Sequence, residues 1–200
     1  MKKLEFFYDC SSPWTYLAFN RIEDLARRHH ADLIWRPILV GGVFNAVNPS
    51  VYESRERPVK AKARYYNKDM QDWARCYGIT LKMPTVGVAV VKVYKTMRGA
   101  YVADEHGRIA QYTRRAFVSY WVEDRNIGDE AVIADISRQA GLDPGEVLDK
   151  IQQPEYKEKL RAATQELIDR GGFGSPTIFV DGSMFFGNDR LPLVEFELSR

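Results

Sequence analysis

A thiol and two hydroxyls stand within three positions near the start of the chain, at Cys10, Ser11 and Ser12. They follow an apolar segment and precede Pro13, a residue favoured in the first turn of a helix. A helix N-terminus presents unpaired N–H groups and the positive end of its dipole, which stabilise an anion and make a thiol easier to deprotonate. The spacing therefore indicates a site where a thiolate would be stabilised.

Two segments near the C-terminus could bind a ligand through backbone groups and polar side chains. Pro176 stands directly before a β-branched segment, where a cis bond would turn the N–H and C=O of Ser175 toward an extended peptide. The alternative is an ordinary trans proline at a loop-to-strand junction. Asn188 and Asp189 precede a final apolar helix, where they either cap the helix or bind polar groups such as an ammonium.

The hydrophobic periodicity predicts the elements that must position these residues. Strands are expected at 4–8, 33–40, 177–180 and 183–186, with a hairpin turn at Asp181-Gly182. Pro37 indicates an edge position for the second strand. Helices are expected at 14–30, 59–77, 108–124, 129–139, from 144, at 154–170 and at the C-terminus through 198. Segment 41–58 is predicted as loop, and 85–107 is ambiguous, with helix favoured over strand.

The order of these elements predicts an α/β protein with a thioredoxin-like fold. A β-α-β half opens the chain, a β-β-α half closes it, and an all-helical domain is inserted between them. We expect the thioredoxin-like domain to comprise residues 1–42 and 171–200, and the inserted helical domain to comprise residues 43–170. The last helix of the insertion can pack on the thioredoxin sheet.

Redox proteins with this fold carry Cys-x-x-Cys at the turn into the first helix. Here the equivalent residues are Ser12-Pro13-Trp14-Thr15, so hydroxyls replace both sulfurs and dithiol exchange at this turn is excluded. What remains is a pocket that stabilises a thiolate without supplying one, and it would suit a thiol brought by a cofactor. A plain helix N-cap is the alternative interpretation of Ser12.

The composition is that of an ordinary globular protein, with 45% hydrophobic residues and a net charge of +2. It predicts no nucleic-acid partner, and no segment reaches the ~20 apolar residues of a membrane span. We expect a cytoplasmic protein without a signal peptide. The two cysteines, Cys10 and Cys76, are interpreted as small core residues. The three histidines show no ligand spacing, so no metal is expected.

Several segments together resemble the 2-hydroxychromene-2-carboxylate isomerase family, relatives of the kappa-class glutathione transferases. They are "FYDCSSPWTYLA", "WRPILVGGVFNAV", the helix at 62–73 and "FGSPTIFVDGSMFFGNDRL". The resemblance covers residue 4 to about residue 80 and residue 154 to the end, and it is weaker in the helical block between them.

The resemblance implies that the cofactor is glutathione, bound by Ser12, Asn48, Lys62, Ser175, Pro176, Asn188 and Asp189. Ser12 would be catalytic, because its hydroxyl would hydrogen-bond the glutathione sulfur and favour its thiolate. Ser175, before Pro176, would pair with the cysteinyl main chain, and the Asn188-Asp189 pair would meet the γ-glutamyl end. Asn48 and Lys62 would reach the glutathione or the substrate from the inserted block.

The implied activity is a glutathione-dependent isomerisation of an unsaturated α-keto acid in aromatic catabolism, carried out by a homodimer on a small-molecule substrate. Lys62 or Arg36 would bind the substrate carboxylate. The alternatives are a transferase that conjugates glutathione to electrophiles and a non-catalytic module that binds glutathione or peptides. Two residues depart from the family pattern: Trp14 replaces a smaller aromatic residue and could narrow the substrate mouth, and Thr15 stands where Ser is common.

Overall fold

One mixed sheet of four strands organises the computed structural model, which describes residues 1–85 and 92–200. The strands are β1 (Lys3–Tyr8), β2 (Asp32–Pro37), β3 (Thr177–Val180) and β4 (Ser183–Phe186), in the spatial order β2-β1-β3-β4. β1 runs parallel to β2 and antiparallel to β3, and β3 and β4 form a hairpin. The predicted edge position of β2 and the predicted turn at Asp181-Gly182 are both confirmed, since both turn residues have positive φ.

Ten α-helices surround this sheet in the described part of the chain. They are α1 (Pro13–Arg28), α2 (Val40–Val47), α3 (Ser50–Glu56), α4 (Lys60–Tyr77), α5 (Tyr94–Glu105), α6 (Ile109–Trp121), α7 (Glu130–Gln139), α8 (Pro144–Lys150), α9 (Pro154–Asp169) and α10 (Leu191–Leu198). A single 3₁₀ turn, Asn188–Arg190, precedes α10. The chain therefore has the β-α-β and β-β-α order, with helices between the halves, that the sequence predicts.

The predicted loop at 41–58 is wrong, because α2 and α3 occupy most of it. Gly41 and Gly42 argue locally against a helix, and α2 has no side-chain cap from its own N-cap residue, Leu39. The cap comes instead from the end of β1, where the Asp9 carboxylate accepts a hydrogen bond from the Val40 N–H at 2.8 Å. Because the capping carboxylate comes from a distant part of the sequence, the residues around α2 do not predict this cap.

Two other predictions concern the boundaries of helices, and one of them is wrong. Asn188 and Asp189 do not cap α10, whose N-cap is Arg190; they lie in the preceding 3₁₀ turn. The favoured helix in the ambiguous segment 85–107 is confirmed from Tyr94 onward, whereas residues 86–91 lie outside the described part.

The alternation of side chains along β1 divides the core between the two faces of the sheet. Phe6 and Tyr8 belong to the larger cluster, which α1 and α6 cover. Within it the buried Phe117 of α6 packs against Tyr8 and Phe19, at ring-centroid distances of 6.4 and 4.9 Å. On the other face, Phe7 packs with residues of α2 and α9. No helix in the described ranges is long and apolar enough to cross a membrane.

Glu105, at the end of α5, joins that helix to α8 and α9. Its carboxylate accepts hydrogen bonds from Lys150 at 3.0 Å, Lys159 at 2.9 Å and the Tyr156 hydroxyl at 2.8 Å. Burial alone would raise the pKa of Glu105, but the hydrogen bonds from these three donors outweigh it and lower the pKa to about 2. The charged carboxylate therefore ties three helices of the block together.

We expect Glu105→Gln to make the free energy of unfolding depend less steeply on pH in the acidic range. A carboxyl whose pKa is lowered in the folded state stabilises it above the unfolded-state pKa of 4.5, and this contribution disappears as the pH falls toward 2. Since the side chain is partly exposed, the loss at neutral pH should be only about 1 kcal/mol. Urea unfolding from about pH 6 down to about pH 2 measures it. Glu158→Gln, at an exposed ion pair with Arg161, is the matched control, and curves of equal slope for wild type and Glu105→Gln would contradict the expectation.

Candidate functional site

The antiparallel pairing of β1 and β3 brings the two predicted ligand-binding segments together. Phe7, near the end of β1, lies opposite Thr177, at the start of β3. The turn that follows β1 and the loop that precedes β3 therefore share one edge of the sheet. The Asp9 N–H donates to the Ser175 hydroxyl at 3.1 Å across this junction, and the Ser175–Pro176 peptide bond is cis, as predicted.

Ser12 is the half-buried N-cap of α1. Its hydroxyl accepts a hydrogen bond from the Thr15 N–H at 3.2 Å and donates to the Ser175 carbonyl at 3.1 Å. The capping interpretation is thus confirmed, and the single hydroxyl proton can reach a ligand by rotating away from the Ser175 carbonyl. The Trp14 N–H, in the first helical turn, has no intrahelical acceptor. One reachable spot therefore combines a hydroxyl, a free N–H and the positive end of the α1 dipole.

Thr15, the second hydroxyl of the turn, is fully buried. It forms a hydrogen bond of 2.7 Å with the Ser175 hydroxyl, which also accepts from the Asp9 N–H. Of the two hydroxyls that replace the redox cysteines, only that of Ser12 can reach a ligand.

Cys10 is buried, and burial raises the pKa of its thiol well above the usual value, with the neighbouring Asp9 carboxylate adding to the effect. It is a core residue rather than a nucleophile, as interpreted from the sequence. The same interpretation of Cys76 is wrong, because this cysteine is exposed. The buried residues of α4 are Met70 and Ala74, and a position two residues beyond Ala74 points away from their stripe.

Asp9 is a buried carboxylate beneath the turn and is not among the predicted site residues. One oxygen accepts from the Ser11 N–H at 2.8 Å and the Ser11 hydroxyl at 2.7 Å, while the other caps α2 at Val40. Burial raises the pKa of Asp9, and the hydrogen bonds from Val40 and Ser11 oppose this rise. Its side chain fixes the turn and the start of α2 to each other. An Asp directly after a buried strand is the sequence signal that marks it.

Asn48 lies at the far end of α2, against the loop that leads to Ser175. Its side-chain amide donates to the Phe173 carbonyl at 3.1 Å, and its amide oxygen accepts from Ser50 at 2.9 Å. The structure therefore brings Asn48 to the same edge of the sheet as Ser175.

Lys62 is exposed on α4 and reaches the site through its neighbours. A cavity of about 390 Å³ is lined by Ala61, Lys62, Tyr65, Tyr66 and Asp69. The Tyr66 hydroxyl accepts from the Trp14 indole N–H at 3.0 Å, and the two rings meet edge to face at 5.3 Å. Tyr66 therefore connects this cavity to the first turn of α1, although no residue of α1 itself is among those that line it.

Asn188 and Asp189 lie in the 3₁₀ turn that follows β4, next to a residue that contacts the cis proline, and they differ in exposure. The Gly187 N–H donates to the Pro176 carbonyl at 3.1 Å and so fixes their turn. Gly187 has φ +101°, and a Cβ there would lie 2.6 Å from an Asp189 oxygen, so the position requires glycine. Asn188 is buried beside Tyr77, and its side-chain hydrogen bond to that hydroxyl opposes the rise in the Tyr77 pKa that burial causes. Asp189 is half exposed and pairs with Arg190 at 2.5 Å.

Arg36, the other candidate for a substrate carboxylate, is occupied elsewhere. It forms ion pairs with Glu5 and Glu166, and its guanidinium lies 5.3 Å from the Phe7 ring. These partners lie on the α9 face of the sheet, so Lys62 remains as the candidate cation. The described ranges hold no group of three or more His, Cys, Asp and Glu side chains arranged to bind a metal ion.

Comparison with known proteins gives one consistent family. Residues 3–199 match the DSBA-like thioredoxin domain family. A 2-hydroxychromene-2-carboxylate isomerase from Pseudomonas putida is 30% identical over 98% of this chain and 94% of its own length. Glutathione S-transferase kappa 1 from Rattus norvegicus is 29% identical over 98% of this chain and 90% of its own.

A solved 2-hydroxychromene-2-carboxylate isomerase superposes with a TM-score of 0.85 at 28% identity, covering 99% of this chain and 95% of that structure. This agreement over nearly the whole length confirms the predicted thioredoxin-like fold and the resemblance found in the sequence motifs. The chain belongs to the 2-hydroxychromene-2-carboxylate isomerase family, within the DSBA-like thioredoxin domain proteins.

Proposed function

We propose that this protein is a glutathione-dependent isomerase of 2-hydroxychromene-2-carboxylate-like compounds. The observation that carries the proposal is the turn at the start of α1, which exposes one hydroxyl and no ionisable thiol. Such a turn can stabilise the thiolate of a bound ligand, but it contains no thiol that could itself act as the nucleophile. The names of the relatives from Pseudomonas putida and Rattus norvegicus support both glutathione and the reaction class.

The free polar groups at this edge of the sheet fit a peptide-like thiol. The backbone N–H groups of Trp14 and Ser175 have no partner within the described ranges, and the Ser12 hydroxyl can turn from the Ser175 carbonyl toward a ligand. An extended peptide laid beside Ser175 would satisfy its N–H as an added strand does.

Each residue has a role that follows from its chemistry. Ser12 would donate its hydroxyl proton to the sulfur and, with the α1 dipole, lower the pKa of the thiol. Ser175, held by Pro176, would bind the cysteinyl main chain. Asp189 would bind the α-ammonium at the γ-glutamyl end, and Asn188 would bind the neighbouring carboxylate through its amide. Bound glutathione would supply the nucleophile that adds to an unsaturated carbon and is released after bond rotation.

The substrate would enter from the side of α4. Lys62 carries no ion pair within the described ranges, and it would bind the substrate carboxylate. Asn48, at the end of α2, would bind glutathione or the substrate from the same side. The aromatic pair of Trp14 and Tyr66 would form the wall against which a planar ring packs.

A kappa-class-like transferase is the second candidate, favoured by the relative from Rattus norvegicus. Both reactions would use the same activated glutathione sulfur, so the two activities are distinguished by whether glutathione is consumed during turnover. We expect turnover of 2-hydroxychromene-2-carboxylate without consumption of glutathione. Stoichiometric loss of glutathione with an aryl halide, and no turnover of the chromene, would favour the transferase. Binding of glutathione with no turnover of either compound would indicate a binding module.

We further propose that the protein is a cytoplasmic homodimer. Sedimentation equilibrium tests the oligomeric state.

We expect Trp14→Phe to widen the range of substrates. The change removes the hydrogen bond to Tyr66, which lines the cavity, and shortens the ring that packs against it. The ratio of kcat/KM for a benzo-fused chromene carboxylate over the parent compound should rise about tenfold. Trp73→Phe, at a half-buried tryptophan stacked on Tyr77, is the matched control and should leave the ratio unchanged. An unchanged ratio in Trp14→Phe would show that the indole does not determine which substrates the enzyme prefers.

A further inference from the structure

A second cavity lies between α2, α5 and α9, away from the residues proposed to bind glutathione. Its volume is about 430 Å³, within the range of small-molecule sites. Gly42 and Ala46 of α2 face it, one turn apart, and Gly42 lets α9 approach so closely that an added Cβ would lie 3.3 Å from Thr164. We refer to this cavity as the α2–α5–α9 cleft.

The charged residues that line the α2–α5–α9 cleft are all cationic. They are Arg98, Lys157 and Arg161. Arg161 is neutralised by Glu158, with two hydrogen bonds of 2.7 and 2.5 Å. Arg98 and Lys157 form no ion pair within residues 1–85 and 92–200, and residues 86–91 are only Val, Gly and Ala, which cannot supply a carboxylate. Two cations therefore border the cleft without a counter-charge from this chain.

Arg98 is the more constrained of these two cations. Its guanidinium stacks on the Tyr94 ring at 4.6 Å, and one terminal nitrogen donates to the Ile151 carbonyl at 3.3 Å. Its Nε is buried without a hydrogen-bond partner in the described part of the chain. A partly buried guanidinium with donors left over is costly unless an anion satisfies it. Because the Nε has no accessible surface, an anion in the cleft would be bound through the terminal guanidinium nitrogens, which suit a planar carboxylate.

The remaining walls of the cleft are apolar. Leu39, Leu160 and Ile168 line it, together with the Tyr94 ring. A compact inorganic anion would leave these walls in contact with water, whereas a flat apolar body carrying one carboxylate would cover them and reach Arg98.

We propose that the α2–α5–α9 cleft is a second binding site, and that its ligand is an aromatic carboxylate held by Arg98 and Lys157. The carboxylate would lie between the two cations, and the ring would pack on Tyr94 and the leucine side chains. This site is independent of Ser12, because none of its lining residues belongs to the glutathione site proposed above.

Titration with 2-naphthoate, followed by the fluorescence of the probe, tests the proposal. We expect saturable binding that Arg98→Gln and Lys157→Gln each weaken about tenfold, as loss of a charge-assisted hydrogen bond would. Arg21→Gln is the matched control, since Arg21 also stacks on a tyrosine, at 5.3 Å, and has no ion pair in the described ranges. Neutral 2-naphthamide should bind far more weakly than the acid.

Three further measurements separate this site from the proposed active site. Lys62→Gln should leave the Arg98-dependent binding of 2-naphthoate intact, and Arg98→Gln should leave glutathione binding unchanged, which also shows that this variant is folded. Inorganic phosphate should compete only weakly. The proposal is overturned if 2-naphthoate does not bind, if Arg98→Gln binds it as wild type does, or if phosphate displaces it with equal affinity. None of these outcomes depends on whether Ser12 is catalytic.

Discussion

We expect Ser12→Ala to lower kcat by about 100-fold or more, the effect of removing one donor that stabilises charge at a reacting centre. Glutathione should still bind, because the proposed contacts at Ser175, Asn188 and Asp189 are untouched. The pKa of the bound thiol should rise, since the α1 dipole and the Trp14 N–H remain but the hydroxyl donor is lost. The ultraviolet absorbance of the thiolate as a function of pH measures this shift separately from turnover.

The control must account for the second role of Ser12 as an N-cap. Loss of the hydrogen bond to Thr15 should cost about 1 kcal/mol of stability. Asp143→Ala removes an equivalent cap, the 3.0 Å bond to Gly145 in α8, and should cost a similar amount without changing kcat. Cys10→Ala should also retain turnover. If Ser12→Ala were fully active and Cys10→Ala inactive, the thiol rather than the hydroxyl would be the reacting group.

We expect Phe117→Ala to destabilise the protein by about 3–5 kcal/mol. The ring is fully buried and contacts Tyr8 of β1 as well as Tyr16 and Phe19 of α1, with centroid distances of 6.4, 5.5 and 4.9 Å. Truncation therefore leaves a cavity at the contact between a helix of the inserted block and the sheet. The loss is a large part of a typical total of about 5–15 kcal/mol.

Urea unfolding, followed by circular dichroism and by tryptophan fluorescence, measures this loss. Phe196→Ala deletes the same ring from a side chain that is 64% exposed, and it should change the free energy of unfolding little. We propose that residues 1–42 with 171–200 and residues 43–170 unfold together, because Phe117 joins their cores. Two separate transitions in wild type, or equal losses in both variants, would contradict this.

The sequence predicted the elements whose signals are local. Short apolar segments rich in aromatic and β-branched residues indicated the strands, Asp181-Gly182 indicated the hairpin, and Pro13 after two serines indicated the start of α1. Ser12 and Ser175 could be placed at one site because β1 and β3 pair in a known topology. The missed features depend on distant partners: α2 is capped from Asp9, and the Trp14 indole is fixed by Tyr66 on α4. The prediction for Cys76 was wrong because this residue lies two positions beyond the buried Ala74 of α4 and therefore on the exposed face of the helix.

The pairing of the Thr15 and Ser175 hydroxyls also bears on how such an enzyme can evolve. Exchanging Ser12 alone for cysteine would place a thiol in the polarised position, but a resolving thiol would also be needed at position 15. Putting sulfur there would break a buried 2.7 Å bond and leave the Ser175 hydroxyl with only the Asp9 amide. A dithiol site at this turn would therefore require at least two replacements, at Ser12 and Thr15, and the second would disrupt the buried hydrogen bond to Ser175.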